Sequence, residues 1–442
     1  MMSRRPDLRR ALLALASAAV LVLPAGPAGA ARAQARPMEL ADLAKLVRVA
    51  DPQISPDARS VAVLVSRPNY ELNRYDTELV LIDVATGAQR GLVAGRRGLA
   101  QPQWSPTGDR LAFLAQRQVF VLPIAGGEAR QITRAPSGVL RFAWRPDGAE
   151  IAIATPDEPE PRSGEERHND SFEVGNDDYL TSAPPRPAHI WLVPVADSDT
   201  SPSFRRLTSG AWSIATSLSA SPLSWSPDGR ALVFVRFSSP HSGDTDSSTV
   251  QVVEVATGNI RSLTARQARE SGPAWSPDGA RIAFSYPLAG DPANLDEVQV
   301  VPAAGWGERV ATAGAVDGDG NRVTRTLDRH ITEAVWLPDG RSLLVAGNDG
   351  TRGAAWIQPL AGPARRLTLG DVVAASGFTL APSGAVAFVG SEPCRPPEVY
   401  FLSAPGGGAA PRRLTDFNRE VAALALGRTE VIEWPGGGGG GG

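Results

Sequence analysis

The chain is nearly devoid of cysteine, lysine and methionine, and holds only four histidines. Cys394 stands alone among 442 residues. No internal disulfide can form, and without a neighbouring His or a C-x-x-C spacing this thiol carries no metal or redox signature. A partly buried, inert cysteine is expected. Lysine occurs once, at Lys45, against 43 arginines, a bias of composition to which no function is attached. His168, His189, His241 and His330 lie far apart in sequence, and none has a Ser and an Asp at a spacing that builds a nucleophile with its base. Absent too are G-x-S-x-G, an HGG-type oxyanion segment, H-E-x-x-H, a P-loop and the Rossmann glycines. No catalytic residue, cofactor or metal is therefore assigned.

Long hydrophobic runs are equally scarce. The longest, residues 11–23, follows Arg4, Arg5, Arg9 and Arg10 and precedes the small-residue sites Ala28-Gly29-Ala30 and Ala33-Gln34-Ala35. It falls short of the roughly 20 apolar residues that cross a bilayer, and its flanks are those of a cleaved leader. Residues 1–35 are expected to be a secretory signal peptide, with Ser3-Arg4-Arg5-Pro6-Asp7-Leu8 partly resembling a twin-arginine export motif. A secreted or periplasmic location follows. Losing this segment removes five Arg and one Asp, taking the net charge from −3 to −7. An acidic mature chain argues against a nucleic-acid partner.

What the sequence does have is a phrase repeated seven times: Ile54-Ser55-Pro56-Asp57, Trp104-Ser105-Pro106-Thr107-Gly108, Trp144-Arg145-Pro146-Asp147-Gly148, Trp225-Ser226-Pro227-Asp228-Gly229, Trp275-Ser276-Pro277-Asp278-Gly279, Trp336-Leu337-Pro338-Asp339-Gly340 and Leu380-Ala381-Pro382-Ser383-Gly384. Proline presets the turn, Asp tolerates its bridge conformation, and Gly takes the left-handed position that lets two strands pair again. Short apolar strands follow each copy, as in Leu111-Ala112-Phe113-Leu114 and Ile151-Ala152-Ile153-Ala154. A further strand then ends in a small-residue turn, and a fourth segment closes on a basic-apolar-Thr signature, as in Arg206-Leu207-Thr208 and Arg413-Leu414-Thr415. Four strands recurring at a mean spacing of about 54 residues predict an all-β, seven-bladed β-propeller with four-stranded, TolB-like or WD-repeat-like blades over residues 36–435. The gap of 81 between Pro146 and Pro227 is read as one blade carrying an acidic insertion at 155–188. The tryptophans that open five of the phrases are expected to be inter-blade core. The final repeat, residues 378–415, reads as complete, so the ring is expected to close.

Several stretches in order resemble the N-terminal half of bacterial prolyl oligopeptidase family serine peptidases, of the acylaminoacyl-peptidase and dipeptidyl-peptidase-like branch. They include Asp51-Pro52-Gln53-Ile54-Ser55-Pro56-Asp57, Phe172-Glu173-Val174-Gly175-Asn176-Asp177-Asp178-Tyr179-Leu180, His189-Ile190-Trp191-Leu192-Val193-Pro194, Arg395-Pro396-Pro397-Glu398-Val399-Tyr400 and Leu426-Gly427-Arg428-Thr429-Glu430. The resemblance implies a propeller that gates access for short peptides to a following α/β-hydrolase domain bearing the Ser, Asp and His. It stops near Pro435, where Gly436 to Gly442 read as flexible linker, and the chain is expected to be cut there, ahead of the catalytic domain. The other reading is a stand-alone TolB-like periplasmic propeller that binds a protein partner, although only residues 36–55 separate leader from blades.

Within residues 157–178, nine carboxylates face two arginines. Glu165, Glu166, Asp177 and Asp178 are the candidate substrate-binding residues, since converging carboxylates beside a peptidase cavity can hold a peptide's free ammonium; Glu165-Glu166 resembles the glutamate pair of related dipeptidyl peptidases. A solvated surface loop has the same composition. Asp317-Gly318-Asp319-Gly320-Asn321 has the opening rhythm of a calcium loop, but Arg322 occupies the position that requires Gly, so a turn is expected. His241 with Asp244 and Asp246 reads as loop as well.

Overall fold

The computed structural model describes residues 35–169, 171–174, 183–195, 204–217, 219–264, 269–304, 322–427 and 429–432. Every described strand lies within the unit Pro37–Gly442. The expected leader and glycine tail lie outside the described residues.

Seven antiparallel sheets succeed one another along the chain, each built from consecutive strands paired in chain order. They span residues 48–93, 100–131, 141–206, 224–262, 271–302, 331–366 and 374–413, numbered here as blades 1 to 7. The first strand of each blade touches the first strand of the next, and that of blade 7 touches that of blade 1. The first strands therefore surround a common axis. Six blades have four strands; blade 5 has three among the described residues, with a single bridge from Gln299 to Arg322 in place of the fourth. The long third spacing is one blade, with Glu150–Pro156 and Ala188–Pro194 paired across the insertion.

Each repeated phrase joins the first strand of its blade to the second. In the copies that hold Ser and Asp, Ser55, Ser226 and Ser276 donate to Asp57, Asp228 and Asp278 at 2.6, 2.6 and 2.5 Å. These hydroxyls hold the carboxyls below their usual 3.8. The same serines accept the backbone N–H of the returning strand at 2.9–3.0 Å. The turn is thus locked by its own side chains. The second strands are buried on both faces between neighbouring blades, with Val61, Ala62, Val63, Ile151, Ala152, Ile153 and Ala154 all at 0% exposure. Burial on two faces explains why the sequence shows continuous apolar runs there instead of alternation.

The phrase tryptophans pack between blades and also staple them. The indole N–H groups of Trp104, Trp144, Trp225 and Trp336 donate to the carbonyls of Gln53, Gln103, Ala143 and Ala274 on the preceding first strand, at 2.9, 3.3, 3.2 and 3.1 Å. Arginines of the outermost strands form a second ring of staples. Arg90 and Arg205 donate to Ile124 O and Val255 O at 3.3 and 3.0 Å, while Arg261 and Arg412 reach Ala303 O and Val84 O. The last of these joins blade 7 to blade 1.

The basic-apolar-Thr signature has a definite task. Thr133, Thr208, Thr264 and Thr415 each accept a backbone N–H from the third strand of their own blade, from Val119, Ile190, Val250 and Val399 at 2.8–3.0 Å. Thr324 does the same for Val298 at 2.9 Å. Arg322-Val323-Thr324, a further copy of that signature, is therefore the fourth segment of blade 5. One expectation is corrected: Cys394 is exposed, because it sits in the turn between Val386–Glu392 and Arg395–Leu402, where no blade covers it.

Candidate functional site

The excursions from the ring gather where second strands turn into third strands. The largest is the acidic insertion of blade 3, and its base is firmly tied. Asp157 N–H donates to Pro187 O at 2.8 Å, Arg186 donates to Asp157 O at 2.7 Å, and Arg206 donates to the Asp157 carboxylate at 2.8 Å. A chain that leaves and returns through such a clamp can vary in between without disturbing the blade.

Beneath the clamp lies His189, fully buried. Its Nε2 is 3.1 Å from Gly210 O and 3.7 Å from Asp157 Oδ2, and its Nδ1 is 3.3 Å from the Thr208 hydroxyl. The Gly210 carbonyl can only accept, so Nε2 of the neutral ring carries the proton and Nδ1 accepts from the Thr208 hydroxyl, whose oxygen also accepts Ile190 N–H. Trp212 packs edge-on against the ring at 4.9 Å. Burial pushes the imidazole below its usual 6.5, Asp157 working against this and Arg206 adding to it. A neutral histidine thus anchors the insertion. In the sequence His189 and Arg206 belong to a strand and its closing segment, and the one local sign of the clamp is a lone His beside the insertion's return point.

Of the four candidate substrate-binding residues, Glu165 stands exposed on a single turn of 3-10 helix, Gly164–His168. Glu166 shares that turn, and its side chain lies outside the described residues, as do Asp177 and Asp178 altogether. Glu165 and Glu166 are consecutive on that one turn. The Asp317-to-Asn321 stretch also lies outside the described residues. His241 precedes the 3-10 turn Ser242–Ser247 that carries Asp244 and Asp246. Among the described residues, no group of three His, Cys, Asp or Glu side chains is placed to hold a metal.

The axis is lined by irregular backbone that the sequence does not announce. Register shifts interrupt the first strands of blades 1, 2, 5, 6 and 7. At four of these bulges a residue adopts positive φ: Asp51 at 48°, Gln101 at 51°, Gly272 at 60° and Gly377 at 66°. Such bulges bend a strand and re-aim its side chains. Glu333, at the blade 6 bulge, reaches the next blade and accepts Gly377 N–H at 2.9 Å and Phe378 N–H at 2.7 Å. Burial raises its carboxyl above the usual 4.5 against the pull of those bonds.

Residues 55–158 match the family model of the dipeptidyl peptidase IV N-terminal region. Over 253 residues the chain is 27% identical to an uncharacterized peptidase, YuxL, of Bacillus subtilis, covering 56% of this chain and 31% of that protein. Over 308 residues it is 23% identical to dipeptidyl-peptidase 5 of Porphyromonas endodontalis, covering 62% of this chain and 42% of that one. Over residues 55–158 the chain is similar to that N-terminal region, and its seven sheets in a ring form a β-propeller. The propeller spans about a third to two fifths of these relatives' length. Its fold agrees with solved structures: Pyrococcus horikoshii acylaminoacyl peptidase superposes with a TM-score of 0.58 at 16% identity, over 86% of this chain and 54% of that one. The β-propeller domain of the Trilobed protease from Pyrococcus furiosus, described as having an open velcro topology, superposes with a TM-score of 0.55 at 14% identity, over 85% of this chain and 97% of that one.

Proposed function

We propose that this propeller admits and positions short peptides for a secreted serine peptidase whose nucleophile, base and acid come from an α/β-hydrolase domain. The observation that carries the reading is the family match over residues 55–158 on a ring whose first strands face a common axis. A ring closed in this way restricts entry to slender, flexible chains and excludes folded ones. Confinement of the peptide then lowers the entropy cost of reaching the reactive geometry. The N-terminal arginines and apolar run supply the export signal.

Glu165 and Glu166, on their clamped insertion, are the groups offered to a substrate's free ammonium. In the full-length enzyme, Glu165→Gln with Glu166→Gln is expected to raise KM for peptides with a free amino terminus and to leave N-acylated peptides unaffected. Equal effects on both substrates would remove the insertion from substrate recognition. Turnover of peptide nitroanilides by the 442-residue chain itself, persisting through repurification, would contradict the assignment of the chemistry to another domain.

A further inference from the structure

The hairpin of blade 1 leaves part of a strand edge unpaired. Its arms, Ser60–Asn69 and Arg74–Asp83, pair with each other over their whole length, out to Asn69 opposite Arg74. The outer strand Gln89–Val93 pairs only from Leu79 onward. On that side residues 74–78 therefore face no strand, and all five line a groove of about 910 Å³ whose opposite wall is the crossing to blade 2, residues 94–99. An exposed edge beside an open groove is the geometry to which an extended peptide adds as a further strand, its backbone satisfying the edge and its alternate side chains reaching the walls.

The charges on the two walls specify the guest. On the hairpin, Arg67 is paired with Glu78 and Arg74 with Asp76. The charges within each pair neutralise each other, so that wall presents little net charge to a guest. Arg96 and Arg97 stand on the opposite wall. Among the described residues neither has a carboxylate partner; Arg96 lies over the Phe120 ring at 4.4 Å, and Arg97 is exposed. Glu71 is the only other charged residue of the lining. At the hairpin tip, Tyr70 is 67% exposed and offers an amphipathic ring to whatever enters.

We propose that this groove is a binding site for an extended peptide segment bearing carboxylates, which adds to the 74–78 edge and meets Arg96 and Arg97 with its acidic groups. The site lies on blade 1, apart from the acidic insertion of blade 3, and the inference does not depend on the peptidase reading, because its test measures binding and not turnover. A fluorescein-labelled peptide of alternating Glu and Val is titrated with the full chain and followed by anisotropy. Saturable binding is expected, weakening with salt. Arg96→Gln with Arg97→Gln should raise Kd about tenfold or more, as loss of charge-assisted hydrogen bonds requires. N-methylation of alternate peptide backbone positions should abolish binding to the unaltered protein, an arm that decides the matter even if the double variant is unstable. Retained affinity of the methylated peptide, or equal affinity of a Gln-Val peptide, would overturn the proposal. So would a dimer of the chain, seen in sedimentation, that the peptide cannot compete away. Amidating the peptide's C-terminus then tells which acidic group the arginines hold: loss of binding assigns the terminal carboxylate, retention the side chains.

Discussion

Asn418 holds Val47 by both ends of its amide. Its Oδ1 accepts Val47 N–H at 2.9 Å and its Nδ2 donates to Val47 O at 3.1 Å, across 371 residues of sequence. Every blade is built from contiguous chain, so among the described residues the two ends of the ring share no strand, and side chains join them beside a single parallel bridge from Pro37 to Ala425. Asn418 also donates to Pro397 O at 3.1 Å and gives its own N–H to the buried Glu398 at 2.7 Å. Ile54 N–H reaches Thr379 Oγ1 at 3.1 Å along the same seam, and a mixed core of Val49, Ile54, Ala387 and Val399 fills it.

Asn418→Ala leaves three backbone groups without their partner where water has little access. Orphaned buried polar groups cost about 1–3 kcal/mol, and the upper part of that range is expected here. Urea denaturation of the variant measures it. A loss near zero would mean that apolar packing alone closes the ring.

The first copy of the repeated phrase carries Ala58 where the later copies have Gly, and Ala58 sits at φ 59°. An L-residue in the left-handed region costs roughly 1–2 kcal/mol, partly offset by the chain entropy that Gly loses on folding. Ala58→Gly is expected to stabilise by roughly 0.5–1 kcal/mol. Gly108→Ala should do the opposite, since Gly108 lies at φ 76° and an added Cβ would come within 3.2 Å of Pro56 Cδ. Thermal melts of the two variants should move in opposite directions.

Trp275 breaks the stapling pattern: its indole nitrogen is buried and has no hydrogen-bond partner. Replacing Trp225 by Phe removes the indole's hydrogen bond to the carbonyl of Ala143, whereas replacing Trp275 by Phe removes a buried donor that was never satisfied. Trp225 is buried and Trp275 partly buried, so the difference weighs the staple together with a smaller difference in packing. Trp225→Phe is expected to cost about 1–2 kcal/mol more than Trp275→Phe. Equal losses would show that the indole bonds contribute nothing beyond packing.

The ring was legible because its rules are local. A Pro-Asp-Gly turn and the apolar strand after it are contiguous, so Pro227-Asp228-Gly229 and Leu232 to Val235 could be read together. The axial bulges were not legible, since neither Asp51 nor Gln101 is glycine, the residue that favours left-handed backbone, and the bond from the Gln101 side chain to Leu140 O at 3.0 Å spans 39 residues. Nor was the purpose of the Thr signature, which depends on a partner in the adjoining strand; a search for it would have added Arg322-Val323-Thr324 to the set. At the candidate site, composition pointed to the insertion, but the clamp at its base joins Asp157 to Arg206, 49 residues apart, and no local pattern announces that pairing.

His189 gives this clamp a pH dependence of definite sign. Burial holds its pKa below the usual 6.5 in the folded protein, so the unfolded chain takes up the proton first as pH falls. Stability is complete above 6.5 and declines below it, until the folded form protonates as well. In that window the slope approaches about 1.4 kcal/mol per pH unit. Asp157 facing Nε2 limits the fall, while Arg206 beside it opposes a further positive charge. The turn carboxylates Asp57, Asp228 and Asp278 lose their contribution only below 3.8, so the two effects separate along the pH axis. Urea midpoints measured from pH 7 downward should fall below 6.5 in the parent chain and fall less in His189→Gln. Parallel curves for the two proteins would show that protonation elsewhere governs the acid side, and that the imidazole contributes only its shape.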